Sequence, residues 1–414
     1  MKGAVGTGLS VLAWALTRTL VLLWVLKVLV VRGPDVTSDV AVIYQGWYEV
    51  LRTGTYPVDD VTWQYPPAAA LAILSPALLP FLDYVSAFFV LALVCDAAVL
   101  GLLLYAGRRP GKSMKGAWVW VAGVPLLGPT AYARYDLMVT AVAVAALFAA
   151  ARRPRLAGAL AGFGALLKVW PVLVLAGMRK GRSWIAAGVT AAGLLLVFAA
   201  AMPGALAFLG FQRDRGTEVE SLGALVFHVA RHVGWEGQVL LNYGSVEFLG
   251  PYVPQVSATA LGLSVVAFAW LAAWRLRARR FTAGTTADAA FTAVLLFTIT
   301  SRVISPQYMI WLVGLAAVCL AFRSSRMAVP GCLVLAATGL TFLGFPVWFD
   351  LVVASDARGI AVLAARNGLL VVAALMACRR LWTSTVPRPA EPARRRGRRP
   401  LPAQPARDKE PVEP

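Results

Sequence analysis

The chain is poor in the groups on which most catalytic machinery is built. Its 414 residues include 2 histidines and 4 cysteines, and 20 acids stand against 39 lysines and arginines. Cys95, Cys319, Cys332 and Cys378 lie singly in apolar segments without metal-ligand spacing, and read as small packing residues. There is no H-E-x-x-H. His228, His232 and Glu236 fall at i, i+4 and i+8, one face of a helix, but two histidines and a distant acid make a weak metal set. No metal and no cofactor are therefore expected. No internal repeat is visible, so the inverted-repeat pattern of many secondary transporters is missing. Alternating apolar and polar positions are missing too. Runs such as AAGLLLVFAA at 191–200 are continuous, which excludes a membrane β-barrel.

What is abundant is apolar sequence, 59% of residues, with a mean hydropathy of +0.71. Roughly ten stretches reach the ~17–25 residues a helix needs to cross the hydrocarbon. Helices and closed barrels are the spanning solutions available in lipid. The expected fold is all-α: one polytopic transmembrane bundle of about ten to thirteen membrane segments, some partial or re-entrant. It occupies residues 1–382, with outer loops at 32–66 and 203–253, followed by a disordered basic Pro/Arg-rich tail at 383–414. The apolar core of the N-terminal segment is too long for a signal peptide, so it is read as the first span, about 8–31.

The net charge of +19 does not indicate nucleic acid. The bases sit in short clusters between spans, such as Arg108/Arg109/Lys112/Lys115, Arg152/Arg153/Arg155 and Arg275/Arg277/Arg279/Arg280. That is the pattern that fixes orientation, with basic loops on the cytoplasmic side, and it also favours anionic lipid headgroups. Taking these clusters as inside markers, residues 38–53 lie as an amphipathic helix on the outer surface. The short, proline-rich 67–82 is partial or re-entrant. Segment 156–177, with RRPR before it and MRKGR after it, is a broken hairpin turning at Lys168-Val169-Trp170-Pro171.

Against this background the ionisable groups at membrane depth are the informative ones, because each costs a few kcal/mol or more unless paired or wet. Asp39, Arg134, Asp136, Lys168, Glu220 and Arg302 all fall in or beside apolar segments. They imply a polar cavity at the outer face. Asp39 follows the first span and is placed to take a proton from a hydroxyl, or to cap the helix it begins. Arg134 and Asp136, two residues apart in AYARYD, point to different partners. Lys168 follows a chargeless stretch and requires an anion or water. In TSRVISPQYMIWLVGL, Arg302, Gln307 and Tyr308 bracket Pro306 at an outer turn and offer donors to phosphate or sugar hydroxyls, although Tyr308 and Trp311 also fit an interfacial aromatic belt.

Four segments in order carry a resemblance: Asp39 with Tyr44, Gly54, Tyr56 and YPP at 65–67; RYDLMVTA with RLAGALAGFGALLKVWP; RGTEVESL; and SPQYMIWL. Together they resemble the polyprenyl-phosphate-mannose-dependent α-mannosyltransferases of glycosyltransferase family 87, in the GT-C class. The resemblance implies an inverting enzyme in the cell membrane that works at its extracytoplasmic face. Such an enzyme moves a sugar, typically mannose, from a polyprenyl-phosphate donor to a lipid or glycan acceptor. It places the base on Asp39; Tyr44 follows by five residues where the family has about four, which keeps Asp35 open as the alternative. The phosphate falls to Arg134, Lys168 and Arg302, and substrate contacts to Tyr44, Tyr65, Asp136, Glu220, Gln307 and Tyr308. No D-x-D motif is present to hold a metal on a nucleotide, which fits a lipid-borne donor. The competing reading is a multispan transporter or lipid flippase whose buried charges line a path.

Overall fold

The computed structural model describes residues 2–210 and 215–387. The tail expected from 383 therefore lies outside the described residues from 388 on. Its first positions, 383–385, still belong to the last helix.

The chain folds as a helical bundle, 69% helix and 4% strand, so the polytopic all-helical expectation holds. Among the described residues, six helices are long and apolar enough to cross a membrane. The first, α1 (Lys2–Val25), stops short of residue 31 because Lys27 adopts φ 61°, which ends the helix. Outside it, a π-helical turn at Asp39–Tyr44 runs directly into α2 (Gln45–Leu51), the surface helix read from the sequence. The partial element follows as α3 (Ala69–Leu74) and a 3₁₀ turn at Ser75–Leu78. Asp83 then caps α4 (Tyr84–Gly107), accepting from the Ser86 amide at 3.0 Å.

Next come α5 (Lys115–Leu126), α6 (Asp136–Ala149) and α7 (Pro154–Leu167). Pro154 occupies the first turn of α7, where a missing amide costs nothing. The helix breaks where expected. Lys168 is extended (φ −161°, ψ 135°), and a 3₁₀ segment, Trp170–Gly177, returns the chain. Its end is held at the basic end of the bundle: Arg275 donates to the Met178 carbonyl and Thr286 to that of Gly177.

Helices α8 (Gly181–Ala201) and α10 (Val253–Arg277) are hardly buried by protein, and their long apolar surfaces suit a lipid surround. Between them the second outer loop holds α9 (Ala224–Ala230) and a feature absent from the sequence reading, a three-stranded antiparallel sheet. Its strands are β1 (Thr217–Glu218), β2 (Gln238–Asn242) and β3 (Ser245–Leu249), in the order β1-β3-β2. Tyr243 and Gly244, both at positive φ, make the two-residue turn of the β2–β3 hairpin.

The centre of the bundle is α11 (Thr285–Thr300) and α12 (Tyr308–Leu320); Met309 through Cys319 are all buried. Helices α13 (Ala328–Phe342), α14 (Phe349–Val353) and α15 (Ala357–Thr385) close the fold. Length positions the site. Helices of 14, 14, 16 and 13 residues (α6, α7, α11 and α12) rise about 20–24 Å, short of the ~30 Å hydrocarbon. The start of α6, the end of α7, the end of α11 and the start of α12 carry the sequence motifs, and the outer loops fill the space these short helices leave.

Candidate active site

Two ion pairs form the heart of the site. The Arg134 guanidinium meets Asp39 Oδ2 at 2.7 Å, and Lys168 Nζ meets Asp136 Oδ1 at 2.7 Å. The two carboxylates differ in surroundings: the Asp136 side chain is 1% exposed and that of Asp39 30%. Asp136 Oδ1 also accepts from Trp311 Nε1 at 2.6 Å, so it is committed on two sides. Arg134 is oriented further by the carbonyls of Val36 and Ala133. Arg134 and Asp136, two residues apart, thus serve different partners.

Aromatic rings join the pairs. Lys168 Nζ lies 5.2 Å from the ring centres of Tyr65 and Tyr135, 5.3 Å from Trp311 and 6.0 Å from Tyr308. This box holds a cation well. Tyr308 stacks on Trp311 at 3.9 Å, so both belong to this wall rather than to a membrane-surface belt. Tyr44 stacks on Trp47 and meets Tyr135 edge-on, and Tyr65 meets Tyr135 likewise. Burial, then the nearby Asp136 and Asp39 carboxylates, push the Tyr65 phenol well above its ordinary value, so it stays protonated.

Arg302 belongs to a second group, built by the second outer loop. Its guanidinium donates to the Arg215 carbonyl at 3.2 Å. Arg215 in turn pairs with Glu247 at 2.9 Å and donates to Gln64 and Ser245. Glu218 clamps the turn after α11. It accepts from the Ile304 amide and from Ser305 Oγ, and its own amide donates to the Arg302 carbonyl. Arg215 and Arg302 line a cavity of about 750 Å³ between α10 and α11, with Ser257, Ser264, Phe297 and Thr300.

Glu220 belongs with neither ion pair. Its carboxylate faces Arg366 at 3.8 Å, while Arg366 and Asn367 of α15 hold its carbonyl. Gln307 sits half-buried at the start of α12. Asp35, the alternative to Asp39, is spent locally: Oδ1 closes a turn with Thr37 and Oδ2 pairs with Lys27. His228 and His232 do not converge on a metal. The His228 ring nitrogens bond Ser355 Oγ and the Val219 carbonyl, and His232 bonds the Ser355 carbonyl.

Sequence reasoning passed over Glu218, Glu247 and Arg366. Glu218 stands in the same TEVES stretch as Glu220, and Arg366 is an isolated arginine inside an apolar run, which is the signal that flagged Lys168.

The family model of glycosyltransferase family 87 matches residues 63–306, more than half of the chain. The chain belongs to glycosyltransferase family 87. No curated protein matches it. As a family 87 member it is a glycosyltransferase, and six long apolar helices make it a multi-pass membrane protein. The matched range contains Tyr65, Arg134, Asp136, Lys168, Glu220 and Arg302. Asp39 and Tyr44 precede it, and the Asp39–Arg134 pair ties them to it.

Proposed function

We propose that this family 87 enzyme transfers a sugar, with mannose as first choice, from a polyprenyl-phosphate donor to a lipid or glycan acceptor at the outer face of the cell membrane, with inversion. One observation carries the reading. Asp39 is a partly exposed carboxylate at the rim of a buried aromatic and charged cluster, and Arg134 holds one of its oxygens. Its other oxygen, Oδ1, has no hydrogen-bond partner among the described residues and is open to an acceptor hydroxyl.

In this mechanism the acceptor oxygen attacks the anomeric carbon and its proton passes to Asp39. The bond from that carbon to the phosphate oxygen breaks, and the electron pair leaves on the lipid phosphate. Charge grows on that phosphate and calls for fixed cations. Arg302, with Arg215 beside it on the wall of the 750 Å³ cavity, supplies them; α10 at this cavity is lipid-facing, as a prenyl chain requires. Arg134 aims Asp39, and Lys168 fixes the Asp136 side of the pocket. In this reading Tyr65, Gln307 and Tyr308 offer donors to the sugar hydroxyls.

The test is purified enzyme with polyprenyl-phosphate-mannose and extracted membrane lipids. A new glycolipid is expected, and Asp39→Asn should lower turnover by about 10²–10⁴-fold, the usual contribution of a general base. Full turnover by Asp39→Asn removes the base assignment. A solute crossing proteoliposomes with no donor consumed replaces the enzyme reading with a transporter.

A further inference from the structure

A second polar cavity, of about 860 Å³, lies at the other end of the bundle. Four guanidinium-bearing residues line it: Arg280 just after α10, Arg326 just before α13, and Arg379 and Arg380 on α15. Thr282, Thr383 and Ser384 add hydroxyls to the wall. Asp288 is the carboxylate of the lining, and it is already engaged by Ser325 Oγ at 2.5 Å and the Arg326 amide at 3.4 Å. None of the four arginines is in an ion pair among the described residues. Among the described residues, Arg380 is the one of the four whose guanidinium has a protein acceptor, the Arg326 carbonyl at 2.6 Å. Four like charges around one cavity repel, and an anion inside it relieves that repulsion while meeting donors of matching geometry.

Next to the cavity, a groove of about 290 Å³ runs between α10 and α15. Trp270, Ala273, Cys378 and Trp382 line it with Arg277, whose guanidinium lies over the Trp382 ring, and it shares Arg379 and Thr383 with the polar cavity. A free phosphate would use the cavity alone. A polar, cationic chamber continuous with an apolar groove on a lipid-facing helix suits one amphiphile, with its phosphate in the chamber and its chain in the groove. The chain's own segment 388–414 is a poor occupant, since it carries 8 bases and 4 acids. Nor is this the donor site: α11, 16 residues and about 24 Å long, separates the cavity from Arg302.

We propose that this cavity and groove bind one anionic phospholipid from the leaflet opposite the Asp39 site, bracing α10, α11 and α15 together. The proposal does not depend on the glycosyl-transfer reading.

The full chain, delipidated in detergent, is titrated with phosphatidylglycerol, phosphatidylcholine and inorganic phosphate in turn. Bound lipid is counted by native mass spectrometry and the melting temperature is followed. Phosphatidylglycerol is expected to bind one per chain and raise the melting temperature, with phosphatidylcholine much weaker. Arg280→Gln with Arg379→Gln should weaken phosphatidylglycerol about tenfold or more. Ala273→Trp, which fills the groove and removes no charge, should weaken it too, and this arm stands if the double variant fails to fold. Equal binding of the two lipids, an unchanged affinity in both variants, or protection by inorganic phosphate at the same concentration as the lipid each overturns the proposal.

Discussion

Three aspartates show how environment divides one side chain into different tasks. Asp96 is fully enclosed and fully bonded. Arg18 reaches both of its oxygens, Trp14 and Trp120 donate to Oδ1, and Tyr132 donates to Oδ2. It locks α1, α4 and α5 together and offers nothing to a substrate. Asp136 neutralises Lys168 in a nearly water-free box, and Asp39 stands at the rim. Asp136→Asn should therefore cost about 3–5 kcal/mol, because it strands a buried ammonium. Asp39→Asn should cost less, about 1–3 kcal/mol, because Arg134, as enclosed as Lys168, keeps the Val36 and Ala133 carbonyls as acceptors. Thermal unfolding of both variants in one detergent, read beside turnover, separates the roles: Asp39→Asn loses activity with the smaller fall in melting temperature, whereas Asp136→Asn shows the larger fall. The high cost of charge in lipid made Asp39, Arg134, Asp136 and Lys168 legible from sequence. The pairing of Arg18 with Asp96 was not, since the two are 78 residues apart and no local spacing links them.

At the scale of elements, the tightest packing is between α7 and α8. A Cβ at Gly158 would overlap the Ser183 carbonyl, and one at Gly162 the Ala187 carbonyl. Both contacts repeat at four residues, so the backbones touch along a small-residue seam. Gly162→Val should lower the melting temperature by several degrees and speed hydrogen exchange in 154–201, and an unchanged exchange pattern would refute the seam. The break at Lys168 was readable, because a proline after an apolar run has a strong local signature. The β2–β3 hairpin was not, because the alternation in QVLLNYGSVEFL is only five residues long on each side of the turn. The loop carrying β1 also holds a titrating group. Burial, with Glu218 as a nearby like charge, pushes the Glu220 carboxyl up to about 8 against the pull of Arg366. The folded state then holds a proton that the unfolded chain releases near pH 4.5, so stability from this group falls as pH rises from about 4.5 to about 8. Relative to wild type, Glu220→Gln should gain in melting temperature across that window and stay level above it.

For the whole molecule, the arrangement turns on polarity between two ends. At one end the short helices α6, α7, α11 and α12 stop below two outer loops that latch onto each other through Gln64, which donates to the Tyr243 carbonyl and accepts from Arg215. At the other end lie the basic turns, Lys112 against Phe322 and Arg323 reaching the Gly111 and Lys112 carbonyls. The proposed direction follows from charge: with lysine- and arginine-rich short loops on the cytoplasmic side, Asp39, the β2–β3 hairpin and the 750 Å³ cavity would lie outside. A lipid-borne donor is the form of activated sugar that suits that face, so topology and chemistry stand or fall together. In a background with the four cysteines replaced, a single cysteine at the exposed Val61 or Leu241 should react with a membrane-impermeant maleimide on intact cells. One at the exposed Arg323 or Ser324 should react only after the membrane is opened. Labelling in the opposite sense would turn the molecule over. The Asp39 carboxylate would then face the cytoplasm, where soluble nucleotide sugars compete and a prenyl-linked donor loses its rationale.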